Sequence, residues 1–569
     1  MTKKLEGIIA SQGLAMGPAK RFIKEELTID HETISEDRVK SEQSRVDRAF
    51  SAYADQLKSR GTESQTQQEV LEAHLELLSD PYYADTVKEK IQNNLCNAEA
   101  ALEATTDEMA SMMESLEDAY LKERGADYRD IGENLLYLLL GKKPQDLSQL
   151  AEDCIIVCQE LTPSDTSLMD KKRVLGFAND LGGKTSHTSI IAQTLGIPAL
   201  VGMKTVSQEI TDGDFLILDA QKGFVLVNPD EEVKKSYADL LQSEQEERAR
   251  LESVKNREAV TTDGRKISVA TNIGNLQDLT VGFEAGADGC GLFRTEFLYM
   301  DNSHFPTEEE QFAVYREAAS QCGDRPLLIR TLDIGGDKSL SYYSFPKEDN
   351  PFLGWRALRI CFDKPEIFRA QLRAILRASA FGNVKILLPM VISVEEIIKV
   401  RELVETYKKE LQAESIDYND TIDVGMMVET PASVMMAPRL AKYCDYFSIG
   451  TNDLTQYILA VDRGNDVIAN LYNTYNPAVL AAIKRVIDSA HEEGKWCGMC
   501  GGFAGDTDAT YLLLGLGLDE FSAPASKVAK VKDIILTSSY DEAKKFAEEV
   551  LQLESMEEID RKIKENHHR

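Results

Sequence analysis

The chain has 569 residues, more than one hydrophobic core usually supports, so two to four domains are expected, and its apolar fraction of 43% is ordinary for a globular protein. Its 64 basic and 96 acidic residues leave a net charge of −32, which argues against nucleic acid or an anionic membrane as partner and suits a protein with a basic face, although solubility alone accounts for it equally well. No stretch nears the ~20 apolar residues of a membrane span, the start Met1-Thr2-Lys3-Lys4-Leu5-Glu6 lacks the apolar core of a signal peptide, and nine scattered cysteines read as reduced cytosolic thiols.

Leu5 to Ala10 reads as a short strand. From Ser35 to Leu140 the pattern turns helical. Val39, Val46, Phe50, Tyr53 and Leu57 share one stripe, Ser35-Glu36-Asp37 suits a helix start, and Val70, Leu71, His74, Leu75 and Leu78 mark a second amphipathic segment. A third helical region runs from Leu121 to Leu140, and the block reads as a bundle of about four helices. Short β-rich runs follow at Cys154–Cys158, Val174–Phe177 and Phe215–Asp219, with Phe224–Val227 completing a hairpin-like pair. They imply a compact α/β unit that takes its first strand from the N-terminus and holds the bundle as an insertion. The charged, glycine-free stretch from Asp230 to Arg257 reads as a connecting helix of ~40 Å.

Beyond Gly264 eight apolar runs alternate with helical stretches, beginning at Ile267, Cys290, Leu327, Ile386, Gly425, Tyr446, Trp496 and Phe521. Eight β/α units suggest a TIM (β/α)8 barrel. Arg294, Arg330, Glu429, Asn452 with Asp453, and Cys500 stand at the C-terminal ends of these runs, the face where barrel enzymes assemble their active sites. The predicted fold is thus multidomain α/β. Residues 1–20 plus 145–229 form an α/β domain, 21–144 the helical insertion, 230–260 the linker helix and 261–569 the barrel.

Gly182-Gly183-Lys184-Thr185-Ser186-His187-Thr188-Ser189 reads as a glycine turn entering a short helix that Gly196 would cap. The free N–H groups and dipole at a helix start disfavour imidazolium by roughly 0.3–1 kcal/mol and could hold an anion, leaving His187 in its nucleophilic neutral form. A lone histidine among hydroxyl residues is, however, more often a capping or hydrogen-bonding residue.

The segment Gly-Gly-Lys-Thr-Ser-His-Thr-Ser closely resembles the phosphohistidine motif of the enzyme I family of phosphoenolpyruvate:sugar phosphotransferase systems. The resemblance continues through Leu161–Thr166, Gly291–Glu296, Asp333–Lys338, Asn350–Arg356 and Gly450–Tyr457, so it runs along essentially the whole chain. It implies that His187 is phosphorylated through its Nε2, with Thr166 a supporting hydrogen-bond partner. It places Arg294, Arg330 and Arg463 on phosphoenolpyruvate, their planar forks suiting its phosphate and carboxylate. It makes Glu429 and Asp453 ligands of Mg2+, puts Asn452 and Asp453 beside the phosphate, and makes Cys500 the acid that protonates the methylene carbon of enolpyruvate. A zinc or redox role for Cys497-Gly498-Met499-Cys500 lacks a second such pair and the usual fold position. The resemblance further implies phosphoryl transfer to the histidine-containing phosphocarrier protein (HPr), dimerisation through the barrel, and docking of the carrier on the insertion near Glu72, Leu75, Tyr120 and Arg124. His74 reads as structural. Two departures stand out: Gln12 where proline is expected, and Gly502 where an acidic residue is expected. A dikinase or synthase that phosphorylates pyruvate is the nearest rival, but its ATP-grasp domain has no counterpart here. A non-catalytic dimeric regulator of the same fold is the other.

Overall fold

The computed structural model describes the chain apart from residues 1, 24–26, 59–64, 116–118, 143–146, 148–149, 162–164, 166–168, 170–172, 184–185, 336–337, 339 and 568–569; for residues 65–70, 119–123, 187, 190, 191, 194 and 567 it describes the backbone alone. The chain divides into two compact units, residues 1–245 and 246–569.

The first unit is built on an eight-stranded mixed sheet. Its longest strand, Leu14–Phe22, pairs in parallel with Cys154–Cys158 and antiparallel with Phe215–Asp219. Cys154–Cys158 is buried on both faces, which is why it reads as a continuous apolar run. The hairpin-like pair is present: Phe215–Asp219 lies antiparallel to Phe224–Val227. The N-terminal segment forms two short strands, Lys3–Glu6 and Ile8–Ser11, at opposite edges of this sheet.

Among the described residues five α-helices stand between Phe22 and Cys154: Val39–Lys58, Gln65–Ser79, Pro81–Asn94, Ala98–Glu114 and Ala119–Leu139. The expectation is about four; Pro81–Asn94 and Ala98–Glu114 are the two that no apolar stripe singles out in the sequence. Pro81 takes the first helical position, where its missing N–H costs nothing, and Asp80 accepts the Tyr82 N–H at 2.9 Å. Of the predicted stripe, Val46, Phe50, Tyr53 and Leu57 are buried in the bundle core with Val87, Ile91 and Leu102, and Val39 packs partly buried against it. His74 is buried among these helices, 3.5 Å from Asp127.

The second unit is a closed barrel of eight parallel strands: Lys266–Ile273, Cys290–Arg294, Leu327–Arg330, Val384–Leu388, Val424–Val428, Tyr446–Ile449, Trp496–Met499 and Glu520–Ala523. The first strand pairs with both the second and the eighth, which closes the sheet. All eight predicted runs are strands. Their inward apolar residues Leu292, Leu328, Leu387 and Met427 fill the interior, so the barrel is a packed core with a working face at one end. Among the described residues no helix is long and apolar enough to cross a membrane.

Candidate active site

Each polar residue at the C-terminal end of the barrel is placed by the strand before it. Arg294 and Arg330 end the second and third strands in matching register, which aims both guanidinium groups at the same mouth. Glu429 follows the fifth strand directly and is fully buried. Asp453 lies in the first turn of the helix Thr451–Leu459 that follows the sixth strand, and Cys500 follows the seventh.

Arg330 is held by Glu296 and by Asp333, the latter at 3.2 Å. Lys338 joins the same acids, 3.0 Å from Glu296 and 2.9 Å from the Asp333 carbonyl. Arg356 bridges Asp333 at 2.8 Å and Asp453 at 3.3 Å, and also meets the Tyr457 hydroxyl at 3.2 Å. Asp333 is fully enclosed; burial alone would raise its carboxyl, but Arg330, Arg356 and Lys338 together hold it well below the usual range. Glu429 goes the other way. Burial pushes its carboxyl up, and the nearby Asp453 and Asp333 add to the push.

Glu429 accepts the Met390 N–H through Oε1 at 2.7 Å, whereas its Oε2 is buried without a hydrogen-bond partner. Arg330 Nε, Thr331 Oγ1 and Thr451 Oγ1 are buried and unpartnered as well. Buried polar atoms normally find partners, so this gathering at one end of the barrel marks a place prepared for a polar guest. The glycine at position 450 makes room for it: a Cβ there would sit 2.5 Å from Glu429 Oε2. A carboxylate oxygen with no donor and a second carboxylate near it match what Mg2+ takes from a protein, since that ion typically binds one or two carboxylates and completes its shell with substrate and water. The donor set of Glu429 and Asp453 therefore fits such an ion in kind.

Cys500 is buried beside this group. Burial pushes its thiol up to about 12, Glu429 adding to the push while the Ser448 hydroxyl and Arg330 oppose it. The thiol therefore keeps its proton at neutral pH. The loop after it turns as a short 3-10 segment, Gly502–Gly505, and the Gly502 N–H donates to Asn452 Oδ1 at 3.1 Å. The absence of an acidic side chain at Gly502 thus leaves the loop tied to Asn452 through the backbone.

The structure brings Arg330, Glu429, Asp453 and Cys500 into one electrostatic group; Arg294 is exposed at the end of the neighbouring strand and Asn452 bonds the Gly502 N–H. Arg463 is exposed on the loop beyond the helix, its guanidinium 5.7 Å from the Phe352 ring. The described contacts do not carry it to Glu429. Asp333, Lys338 and Arg356 belong to the same network, and strand-end reasoning missed them. They sit on the long segment after the third strand, where no periodic pattern points inward; their only signal was membership of the motifs Asp333–Lys338 and Asn350–Arg356.

In the first unit the helix His187–Leu195 begins at His187, as expected, with Ser186 as N-cap, its Oγ accepting the Ser189 N–H at 3.4 Å, and Gly196 as left-handed C-cap. Ser189 Oγ donates to the Gly183 carbonyl at 2.7 Å, tying the glycine turn to the helix. The His187 side chain and all of Thr166 lie outside the described residues. On the bundle, Glu72 is exposed, Leu75 packs partly against the core, and Arg124 pairs with Glu76 at 3.2 Å. The Tyr120 side chain lies outside the described residues.

Comparison with known proteins gives three consecutive family matches: PEP-utilising enzyme, N-terminal, at residues 6–124; PEP-utilising enzyme, mobile domain, at 150–223; and PEP-utilising enzyme, PEP-binding domain, at 248–540. The phosphoenolpyruvate-protein phosphotransferase of Haemophilus influenzae is 45% identical over 566 residues, covering 99% of this chain and 98% of the relative. That of Priestia megaterium is 42% identical over 573 residues, covering 100% of both chains. Among solved structures, that of the Enzyme I (nEIt) protein is 40% identical, covers 42% of this chain and 99% of its own, and has a TM-score of 0.39.

Proposed function

The chain belongs to the PEP-utilising enzymes, and among them to the phosphoenolpyruvate-protein phosphotransferase family; from that premise we propose that it moves the phosphoryl group of phosphoenolpyruvate onto its own His187 and from there to the histidine-containing phosphocarrier protein, releasing pyruvate. The observation that carries this reading is the convergence of Arg330, Glu429, Asp453 and Cys500 on one buried, partly unsatisfied site at the barrel mouth.

On this reading Arg294, Arg330 and Arg463 bind the phosphate and carboxylate of phosphoenolpyruvate, and Asn452 orients the phosphate. Lys338 and Arg356, held by Asp333 and Glu296, keep the acids of the site neutralised so that a substrate anion can enter. Bound Mg2+ supplies positive charge against the transferring group. The neutral His187 imidazole attacks phosphorus in line; an N–P bond forms and the bond to the enol oxygen breaks. The electron pair left on enolpyruvate takes up the Cys500 thiol proton at the methylene carbon, giving pyruvate, and the thiolate regains its proton from solvent. Thr166 supports the imidazole. The unit holding His187 (1–20 plus 145–229) delivers the phosphoryl group, the insertion (21–144) docks the carrier near Glu72, Leu75, Tyr120 and Arg124, residues 230–260 link it, and the barrel (261–569) binds substrate and forms the homodimer. Nine free thiols suit a reducing compartment, the cytoplasm.

Incubation with phosphoenolpyruvate labelled in its phosphate, with Mg2+, tests this. An acid-labile label should appear on the parent protein and vanish in His187→Ala or when the metal is chelated. Equal labelling of His187→Ala would sink the assignment.

A further inference from the structure

At the N-terminal ends of the barrel strands, opposite the site above, lies a cleft of about 550 Å3. Ser268 and Lys266 of the first strand, Lys385 of the fourth, and Trp496 and Glu520, which open the seventh and eighth, line it. Most charges around it are answered. Lys266 pairs with Glu258 at 3.2 Å, Lys385 with Asp423, and Asp288 with Lys532 at 2.6 Å. Asp519 takes His491 at 2.7 Å and Arg265 at 2.9 Å.

Glu520 is the exception. It is only 4% exposed, yet its Oε1 is buried with no hydrogen-bond partner. The barrel makes room for it with two glycines: a Cβ at Gly291 would lie 2.7 Å from this oxygen, and one at Gly498 3.0 Å. Burial pushes the carboxyl up to about 7; Lys385 opposes the push, and Asp288 and Asp519 add to it. A cation placed here would reverse it. Beside Glu520 the half-buried Trp496 indole is stacked on Tyr446, centroids 4.5 Å apart and planes within 4°, which fixes it as a rigid aromatic wall. A single water would answer the oxygen but fills only ~30 Å3 of the cleft. An anion would add to the push that Asp288 and Asp519 already exert on this carboxyl. A bare metal ion would meet the carboxyl but leave the flat Trp496 face without a partner.

We propose that this cleft is a second small-molecule site, taking an organic ammonium ion with a flat apolar body, whose charge is met by the Glu520 carboxyl in the cleft wall while its carbon skeleton lies against Trp496. The barrel's inward residues Leu292, Leu328 and Leu387 form one packed cluster with both Trp496 and Cys500, so the site is separate from the catalytic mouth yet shares its core.

The test is a titration of the full chain with benzylammonium, followed through the indole N–H resonances of its two tryptophans, Trp355 serving as the internal control. The expected result is a saturable shift of the Trp496 signal with Trp355 unmoved. The affinity should fall at least about tenfold both in Glu520→Gln, which removes the charge, and in Ser268→Phe, which fills the cleft from the neighbouring strand and keeps the carboxyl. An unmoved Trp355 signal in each variant reports an intact barrel. Equal binding of benzyl alcohol, a shift that does not saturate, or one that survives both substitutions would overturn the proposal.

Discussion

Two positions, Cys500 and Gly450, let single substitutions probe the site. The Cys500 thiol, raised to about 12 by burial, stays protonated through the working pH range. Cys500→Ala should therefore lower the turnover of pyruvate release on the order of 10²–10⁴-fold, as expected for a lost general acid, with KM changed little. The pH–rate profile of the parent should show no alkaline inflection from this group below about pH 10; one that disappears in Cys500→Ala would contradict its assignment as acid. Gly450 offers a steric probe. Its substitution by Ala places a methyl group 2.5 Å from Glu429 Oε2 and 2.8 Å from the Met427 methyl, so Gly450→Ala should weaken Mg2+-dependent binding of phosphoenolpyruvate at least about tenfold, measurable by calorimetry. At this scale the sequence was legible where a polar residue ends an apolar run, as at Arg330, Glu429 and Cys500. It was silent at Asp333, Lys338 and Arg356, because the segment bearing them has no period from which an inward direction can be inferred.

Elements were readable to the degree that their side chains alternate or stripe. All eight barrel strands announced themselves as apolar runs, since both of their faces are buried. The strand Leu14–Phe22 did not, because Gly17, Pro18, Lys20 and Arg21 break its pattern; it is a strand because Cys154–Cys158 and Phe215–Asp219 flank it on both sides. Helix starts set by capping give a sharper prediction. Asp263 accepts the N–H groups of Tyr540 at 3.0 Å and Asp541 at 2.9 Å and the Ser539 hydroxyl at 2.9 Å, anchoring the helix Tyr540–Val550. These bonds, with one from the Thr261 hydroxyl, hold its carboxyl well below the usual range. A depressed folded-state pKa contributes stability above the unfolded value of about 4, lost as pH falls toward the folded value. Asp263→Ala should accordingly lower the Tm at pH 7, and the gap from the parent should close as the pH drops from about 4 toward 2; a gap that stays constant would refute the linkage.

For the molecule as a whole, the division at residues 245 and 246 makes a separable prediction. Arg330, Glu429, Asp453 and Cys500 all belong to residues 246–569, and their buried contacts lie within that unit. Expressed alone, 246–569 should bind phosphoenolpyruvate with Mg2+ by calorimetry but acquire no acid-labile label. Residues 1–245 alone should accept label from a phosphorylated carrier and not from phosphoenolpyruvate.

The helical insertion joins Leu14–Phe22 to Cys154–Cys158, neighbours that run in parallel and so need a crossover of only a dozen or so residues. Here residues 23–153 make that crossing. Were they a slack chain, closing the loop would cost about 2 kcal/mol more than a minimal connection. Five packed helices remove much of that slack beforehand. A bundle wound first would shorten the span the two strands must close, so on return of the unfolded chain to native conditions helicity should be acquired ahead of the exclusion of water from Phe177; stopped-flow traces in which the two rise together would contradict that order.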